Sequence, residues 1–175
     1  MSHLSKIFFP KGNVLHLKFT PTKIFEQPRA LTDTLMPRIK EGRIDLTEDG
    51  IPDEMLKDIS KITIVACGTA AHAGYVGRFA IEKLARIPVE VDIASEFRYR
   101  DPILDENQLV IVISQSGQTA DTIQAMREAK KRGARTLAIT NVVGSTISLE
   151  ADAVLHTRAG VEIAVASTKA YITQL

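Results

Sequence analysis

The sequence predicts an α/β fold, a three-layer αβα sandwich in which helices cover both faces of a five-stranded parallel sheet. Short apolar segments alternate with helix-like segments along the chain, and the apolar segments are rich in Val, Ile and Leu. Strands that are buried on both faces have this composition, and parallel sheets bury their strands in this way. The predicted strands are 62–67, 89–93, 109–114, 135–140 and 153–157, and the predicted helices between them are 69–86, 95–99, 119–132 and 146–150.

Residues ahead of the sheet are predicted to form a helical lead-in. Helix-like patterning covers 24–40, and Pro52 suits the first turn of a short helix that follows. Residues 15–19 alternate like a strand, but prolines flank them, and we expect an irregular arm here. The expected organisation is an N-terminal arm or leader over residues 1–23, a helical lead-in over 24–60 and the αβα domain over 61–175.

The first predicted strand ends at Cys67-Gly68-Thr69, where a long helix begins. Small residues recur along this helix and permit its close approach to the sheet. Thr69 can cap the helix or donate a hydrogen bond to a ligand hydroxyl. Cys67 is expected to be a buried, inert thiol, and His72 a packed or capping side chain, because no activating partner is evident beside either.

Polar residues crowd the loop in which the third predicted strand runs into a helix. Ser114, Ser116 and Thr119 offer hydroxyl donors, Gln115 offers amide donors, and Gly117 permits a sharp turn. The N-terminus of a helix attracts anions through its unpaired N–H groups and its dipole. No lysine or arginine lies in the loop, and the pattern of nucleoside triphosphate sites is absent. The loop therefore predicts a site for a single phosphate on a small metabolite; the alternative is that its hydroxyls only cap the helix.

The strand order decides which loops meet. We expect the flavodoxin-like order 2-1-3-4-5, which makes the first and third strands neighbours whose connections leave toward opposite faces. A crevice opens beyond the strand ends at such a switch point. The segments 67–69 and 114–116 should therefore converge on one pocket.

A third polar segment, 160–171, follows the last predicted strand. Ser167 lies at the start of a helix and can cap it. Glu162 can act as a general base or pair with Lys169, and the sequence leaves both readings open. The helix reaches only about two turns before Leu175, which favours a fragment of a longer protein.

Composition argues against several classes of partner. The net charge is +1 with both signs interspersed, which argues against nucleic acid and anionic membranes as partners. A single cysteine excludes an internal disulfide, and no apolar run reaches the roughly 20 residues of a membrane span. The histidines and the cysteine show no ligand spacing, so no metal and no cofactor are expected. We expect a cytoplasmic protein.

Five motifs resemble the sugar isomerase (SIS) domain family. More closely, they are similar to the first of two SIS domains in the enzymes that make glucosamine 6-phosphate from fructose 6-phosphate and glutamine. The motifs are C-G-T at 67–69, H-A-G at 72–74, A-S-E-F-R-Y-R at 94–100, S-Q-S-G-Q-T-A-D-T at 114–122 and V-A-S-T-K-A at 165–170. Glu26-Gln27-Pro28 also matches the approach to that domain, whereas residues 1–21 are not expected to match.

The resemblance implies how a sugar phosphate is bound. It assigns the phosphate of fructose 6-phosphate or glucosamine 6-phosphate to Ser114, Gln115, Ser116 and Thr119. It assigns the sugar hydroxyls to the neighbourhood of Thr69, Val165 and Ser167. Ala70 stands where the family usually has serine, which removes one expected sugar contact.

The resemblance also implies an enzyme fragment that is inactive alone. In these enzymes a glutaminase domain releases ammonia, and the second SIS domain and the C-terminal tail supply the catalytic glutamate, histidine and lysine. None of these is present, so no catalytic residue is assigned here. The missing domains are the expected partners, together with a second copy in a homodimer. The alternatives are a non-catalytic phosphosugar-sensing module and a stand-alone phosphosugar isomerase.

Overall fold

The computed structural model describes residues 11–162 and 166–175. Its helices are α1 (Lys11–Leu35), α2 (Asp53–Leu56), α3 (Thr69–Leu84), α4 (Ala94–Phe97), α5 (Ala120–Lys131), α6 (Thr146–Glu150) and α7 (Lys169–Gln174). Its strands are β1 (Ile39–Lys40), β2 (Arg43–Ile44), β3 (Lys61–Ala66), β4 (Val89–Ile93), β5 (Gln108–Ser114), β6 (Arg135–Thr140) and β7 (Ala153–His156). The first two strands pair as a small antiparallel hairpin, and the other five form one parallel sheet. The predicted αβα fold class is confirmed.

The parallel sheet has the order β4-β3-β5-β6-β7, which confirms the predicted order 2-1-3-4-5 for its five strands. β3 and β5 are neighbours, with Ala66 level with Ile113. β3 begins and ends one residue earlier than predicted, so Cys67 lies in the loop that follows it. The loops after β3 and β5 therefore leave the sheet side by side, where a switch point opens a crevice.

Two apolar cores lie on opposite faces of the sheet, because successive side chains of a strand point to opposite sides. In β5, Ile111 and Ile113 pack in the core that includes residues of α3. Val110 and Val112 pack in the other core, with residues of α4, α5 and α6. Burial on both faces explains why the strands lack polar alternation.

Helix α3 lies very close to the sheet at Gly74. A Cβ built on Gly74 would be 2.9 Å from Ile64 Cγ2 and 3.3 Å from Val91 Cγ1. Ala70 and Ala71, one turn earlier, are buried in the same core. The small residues of this helix therefore permit the predicted close approach, which fixes the start of α3 beside the end of β3.

The lead-in is tied to the sheet edge by Arg38, a buried residue that follows α1. Its Nε and Nη2 donate to the two carboxylate oxygens of Asp49 at 2.7 and 2.5 Å. Nη1 donates to the carbonyl of Thr34 at 2.8 Å, and Nη2 to the carbonyl of His156 at 2.9 Å. Charge-assisted bonds of this kind fix orientation, so the lead-in is anchored at the carboxyl end of β7.

Helix α1 differs from the prediction at both ends. It begins at Lys11 and includes residues 15–19, where an irregular arm was expected, and it ends at Leu35 rather than at 40. A short alternating segment without a partner strand leaves its backbone groups unpaired, whereas a helix pairs them internally. Among the described residues, no helix has the length and apolar character needed to cross a membrane.

Candidate functional site

A cleft of about 330 Å³ opens at the carboxyl ends of β3 and β5, where the strand order predicts a crevice. Sites for small molecules have about this size or more. The residues that line it are Cys67, Gly68, Thr69, Ala70, Ile113, Ser114, Gln115, Ser116, Thr119 and Ser167. Every predicted binding residue within the described part of the chain is in this set. Val165 lies outside the described residues.

The loop after β5 is organised by its own hydroxyl groups. The buried Ser114 Oγ accepts the N–H of Gly117 at 3.1 Å and lies 3.0 Å from Thr119 Oγ1. Ser116 Oγ accepts the N–H of Gln118 at 3.2 Å. An oxygen that accepts a hydrogen bond keeps its own hydrogen. The Ser116 hydroxyl therefore remains a donor, and the Ser114–Thr119 pair retains one hydrogen for a ligand.

Gly117 allows this loop to lie directly against the loop that follows β6. Its φ is +62°, and a Cβ built on it would be 2.0 Å from Ser145 Oγ and 2.9 Å from Thr140 Oγ1. Its carbonyl accepts the N–H of Ile147 at 3.1 Å. Only glycine fits this combination of backbone angle and space, so the loop has one well-defined shape.

The start of α5 points the unpaired N–H groups of its first turn toward the same loop. Thr119 occupies the position before the helix, but its side chain makes no capping hydrogen bond. Its hydroxyl meets Ser114 instead, so the interpretation that the hydroxyls only cap the helix does not hold for Thr119. The first N–H groups of a helix have no intrahelical partner and carry partial positive charge.

The cleft has no charged side chain among its lining residues. The nearest acidic group along the chain is Asp121, in the first turn of α5. Its Oδ1 lies 4.0 Å from Nη1 of Arg98, which partly offsets its negative charge. An anion in this cleft would therefore be held by neutral donors and the helix dipole rather than by a lysine or arginine.

Thr69 and Ser167 line the part of the cleft that the loop after β5 does not form. Thr69 is the first residue of α3, and the preceding Gly68 has a φ of +58°. Thr69 Oγ1 accepts the N–H of Ser167 in a long hydrogen bond of 3.4 Å. Of the two predicted roles for Thr69, capping is not observed, and its hydroxyl hydrogen is left as a donor.

Glu162 has a position that the sequence alone did not reveal. Its side chain is buried, its Oε1 accepts the N–H of Thr168 at 2.7 Å, and its Oε2 accepts the N–H of Ala170 at 2.8 Å. Glu162 thus caps α7, the task predicted for Ser167. Both carboxylate oxygens are occupied by backbone donors, which does not favour the general-base reading. An acidic residue seven positions ahead of the first residue of a helix is a weak signal for such a cap.

Lys169 pairs with the lead-in rather than with Glu162. Its buried Nζ lies 2.6 Å from Oε2 of Glu26 on α1. The alternative that Glu162 pairs with Lys169, which the sequence left open, is therefore not observed, because backbone N–H groups occupy the Glu162 carboxylate. The ion pair joins the first and last helices of the described chain.

Two other side chains differ from their predicted surroundings. Cys67 is half-buried and lines the cleft, with Thr122 Oγ1 3.9 Å from its Sγ, so it is not the fully buried thiol that was expected. His72 is exposed on α3 and does not line the cleft, so the packed or capping interpretation is wrong.

Within residues 11–162 and 166–175, no cluster of three or more His, Cys, Asp or Glu side chains is placed to hold a metal ion.

Comparisons with known proteins agree with this architecture. Residues 55–175 match the family model of the SIS domain. The chain is 63% identical over 166 residues to the glutamine–fructose-6-phosphate aminotransferase (isomerizing) of Clostridium tetani, a match that covers 94% of this chain and 27% of that enzyme. The C-terminal domain of the glucosamine-fructose-6-phosphate aminotransferase from Francisella tularensis superposes with a TM-score of 0.81 at 44% identity, over 87% of this chain and 43% of that one.

The extent of these matches bears on the N-terminal segment. The chain spans about a quarter of the length of the curated relatives that it matches. A match over 94% of this chain is longer than residues 22–175 alone would give, so it reaches into residues 1–21. The expectation that this segment would not match is therefore wrong for the part of it that the match covers. The family model, the relatives and the shared sheet topology together establish that the chain belongs to the SIS domain family.

Proposed function

We propose that the cleft binds the phosphate group of fructose 6-phosphate or glucosamine 6-phosphate. In this proposal the chain is the sugar-phosphate half of the isomerase part of a glutamine–fructose-6-phosphate aminotransferase, in amino-sugar biosynthesis. The observation that carries the proposal is an uncharged set of hydroxyl, amide and backbone donors at the start of α5. The names of the relatives, which act on fructose 6-phosphate, support the choice of sugar.

The chemistry of the loop suits a phosphate monoester. Its oxygens accept hydrogen bonds only, and the loop offers donors: the hydroxyls of Ser116 and Thr119, the amide of Gln115 and the first N–H groups of α5. Helix N-termini bind phosphate with this arrangement in many proteins. A polyphosphate with magnesium would call for a lysine or a carboxylate in the loop, and it has neither.

The wall formed by Thr69 and Ser167 suits the sugar. These residues line the cleft together with the phosphate loop (residues 114–119), and the Thr69 hydroxyl can donate to a sugar oxygen. Ala70 lines the same wall and offers no polar atom on its side chain. We propose that Val165 contributes to this end of the site as well, as the resemblance implies.

We propose that the chain alone catalyses neither the isomerisation nor the amino transfer. Isomerisation of a ketose to an aldose requires a base that moves a proton between neighbouring carbons. Glu162 is occupied by two backbone N–H groups, and His72 is exposed away from the cleft. The base must then come from outside the chain, from a second SIS domain, with ammonia from a glutaminase domain. A cytoplasmic homodimer is the assembly that we expect.

Turnover separates this proposal from the alternative of a stand-alone isomerase. The purified chain is incubated with fructose 6-phosphate, with and without an ammonium salt, and the products are followed by chromatography. We expect no aldose phosphate and no glucosamine 6-phosphate above the level of a buffer blank. Catalytic formation of an aldose phosphate would favour the stand-alone isomerase and contradict the proposal of an inactive half-site.

Binding is tested by titrating the chain with fructose 6-phosphate in a calorimeter. Ser116→Ala removes one hydrogen bond to a charged group, worth about 1.5–3 kcal/mol, and the dissociation constant should rise roughly 10- to 150-fold. Ser60→Ala is the matched control, because Ser60 lies at the opposite end of β3 and its Oγ donates to the carbonyl of Asn107. Equal affinities of Ser116→Ala and Ser60→Ala would contradict the proposed phosphate site.

A further inference from the structure

We propose that Glu162 is a positioning residue for the sugar end of the cleft, an inference that rests on the proposed function. Its carboxylate holds the segment that carries Ser167 against the start of α3. The phosphate loop is held by a separate set of contacts, so Glu162 controls affinity for the sugar part of the ligand and leaves affinity for phosphate unchanged.

Glu162 lies beside the cleft: it lines the neighbouring groove, which shares Gln115 and Ser116 with the cleft, and it is not among the residues that line the cleft itself. Its two oxygens accept the N–H groups of Thr168 and Ala170, the residues immediately and three positions after Ser167. The residue is only 8% exposed, so water competes little for these bonds. Hydrogen bonds donated to a charged acceptor are about twice as strong as those between neutral groups. The carboxylate therefore fixes the backbone directly behind Ser167.

A second tether acts on the same segment. Lys169 Nζ, 7% exposed, lies 2.6 Å from Glu26 Oε2 on α1. Helix α7 is thus held from one side by Glu162 and from another by the lead-in. Its hydrogen bond to the start of α3 is the 3.4 Å bond from the Ser167 N–H to Thr69 Oγ1, which is long and easily lost. The position of Ser167 depends on the two stronger tethers.

The phosphate loop does not share these supports. Its shape is set by Ser114, by the contact of Gly117 with Ser145, and by the bond from the Asn141 N–H to the Gln115 carbonyl at 3.1 Å. These partners lie on β5 and in the loop after β6. Loosening the segment behind Ser167 therefore leaves the phosphate donors in place.

The test compares two ligands on two variants. In Glu162→Gln the side chain keeps its shape, but one carboxylate oxygen becomes an amide donor that faces a backbone N–H. Glu106→Gln is the matched control, an exposed residue at the amino end of β5. Each protein is titrated with fructose 6-phosphate and with inorganic phosphate, and amide NMR shifts report the dissociation constants.

We expect Glu162→Gln to raise the dissociation constant of fructose 6-phosphate about tenfold or more, and to change that of inorganic phosphate less than about twofold. Glu106→Gln should change neither dissociation constant. An equal loss for both ligands, or no loss for either, overturns the inference. If the unchanged chain fails to bind fructose 6-phosphate, the proposed function itself is wrong, so the two failures are distinguishable.

A measurement on the unchanged chain covers the case in which Glu162→Gln does not fold. Amide hydrogen exchange at Thr168 and Ala170 reports how often their bonds to Glu162 open. Fructose 6-phosphate should slow both exchange rates, because a sugar that contacts Ser167 stabilises the segment behind it. Inorganic phosphate should leave them unchanged. Equal protection by both ligands, or protection by neither, contradicts the proposed role.

Discussion

Replacing Gly117 by alanine should be costly, because the phosphate loop is built around the bare backbone of this residue. Its φ of +62° lies in the left-handed region, which costs a residue with a Cβ about 1–2 kcal/mol. The new Cβ would be 2.0 Å from Ser145 Oγ and 2.9 Å from Thr140 Oγ1, and both side chains are buried. Overpacking of this kind costs about 1–3 kcal/mol. The free energy of unfolding should fall by about 2–5 kcal/mol, a large part of the roughly 5–15 kcal/mol typical of a domain.

Gly133→Ala is the matched control for backbone strain. Gly133 has a φ of +87°, but no atom lies within 4 Å of a Cβ built on it, so only the strain is introduced. Urea unfolding followed by circular dichroism gives the free energy of unfolding of each variant. We expect Gly117→Ala to be less stable than Gly133→Ala by about 1–3 kcal/mol. Equal stability of the two variants would refute the close packing of the loop.

Three further predictions concern the framework around the cleft. Gly74→Ala should destabilise the protein by about 1–2 kcal/mol, because its Cβ would press on the sheet. Gly77→Ala is the control: the nearest atom to its new Cβ is 3.8 Å away, so this variant should stabilise the protein by about 0.5–1 kcal/mol. If urea unfolding shows that both variants change the free energy of unfolding in the same direction, the close approach of α3 at Gly74 is contradicted. Arg38→Met removes a buried partner of a carboxylate and should cost about 3–5 kcal/mol. Arg127→Met, at an exposed pair, should cost at most about 1 kcal/mol, and equal losses would contradict the anchoring role of Arg38. Burial lowers the pKa of His156 below its ordinary value of 6.5, so thermal stability should fall as the pH drops through and below 6.5, and His156→Gln should reduce this fall. An unchanged pH profile in that variant would show that another group is responsible.

The sheet could be predicted from the sequence because its signals are local and repeated. Each buried strand is a short apolar run, and the loop polarity marks where each strand ends. Gly133 ends α5 with a positive φ, as a glycine after a helix predicts. The order of the strands followed from the alternation of strands and helices, which leaves few topologies. Strand order then brought the loops after β3 and β5 together, although they are far apart in the chain.

The partners of charged side chains could not be predicted in the same way. Glu162 accepts backbone N–H groups six and eight residues away, and Lys169 pairs with Glu26 at the other end of the chain. Such contacts depend on how α1 and α7 pack, which no local pattern encodes. The anchoring of Arg38 to the carbonyl of His156 is missed for the same reason.

The N-terminal segment shows the limit of short patterns. Three alternating apolar residues over 15–19 resemble a strand, but the same residues lie within α1. An alternation over five residues is shorter than two helical turns, so it does not distinguish the two-residue period of a strand from the period of about 3.6 residues of a helix. A prediction of irregular structure over 1–23 depended on this ambiguous pattern and on flanking prolines.

An amide NMR titration of the isotope-labelled chain with fructose 6-phosphate tests the central claim most directly, because it reports where the phosphate group lies. We predict that the largest shift changes fall on Ser116, Gly117, Thr119 and Ala120, and that unphosphorylated fructose at the same concentration produces none of them. The largest changes would lie elsewhere if another surface held the ligand, for example at Val142, Val143 and Gly160 in the neighbouring groove. That result, or equal changes with fructose, would contradict a phosphate site at the start of α5.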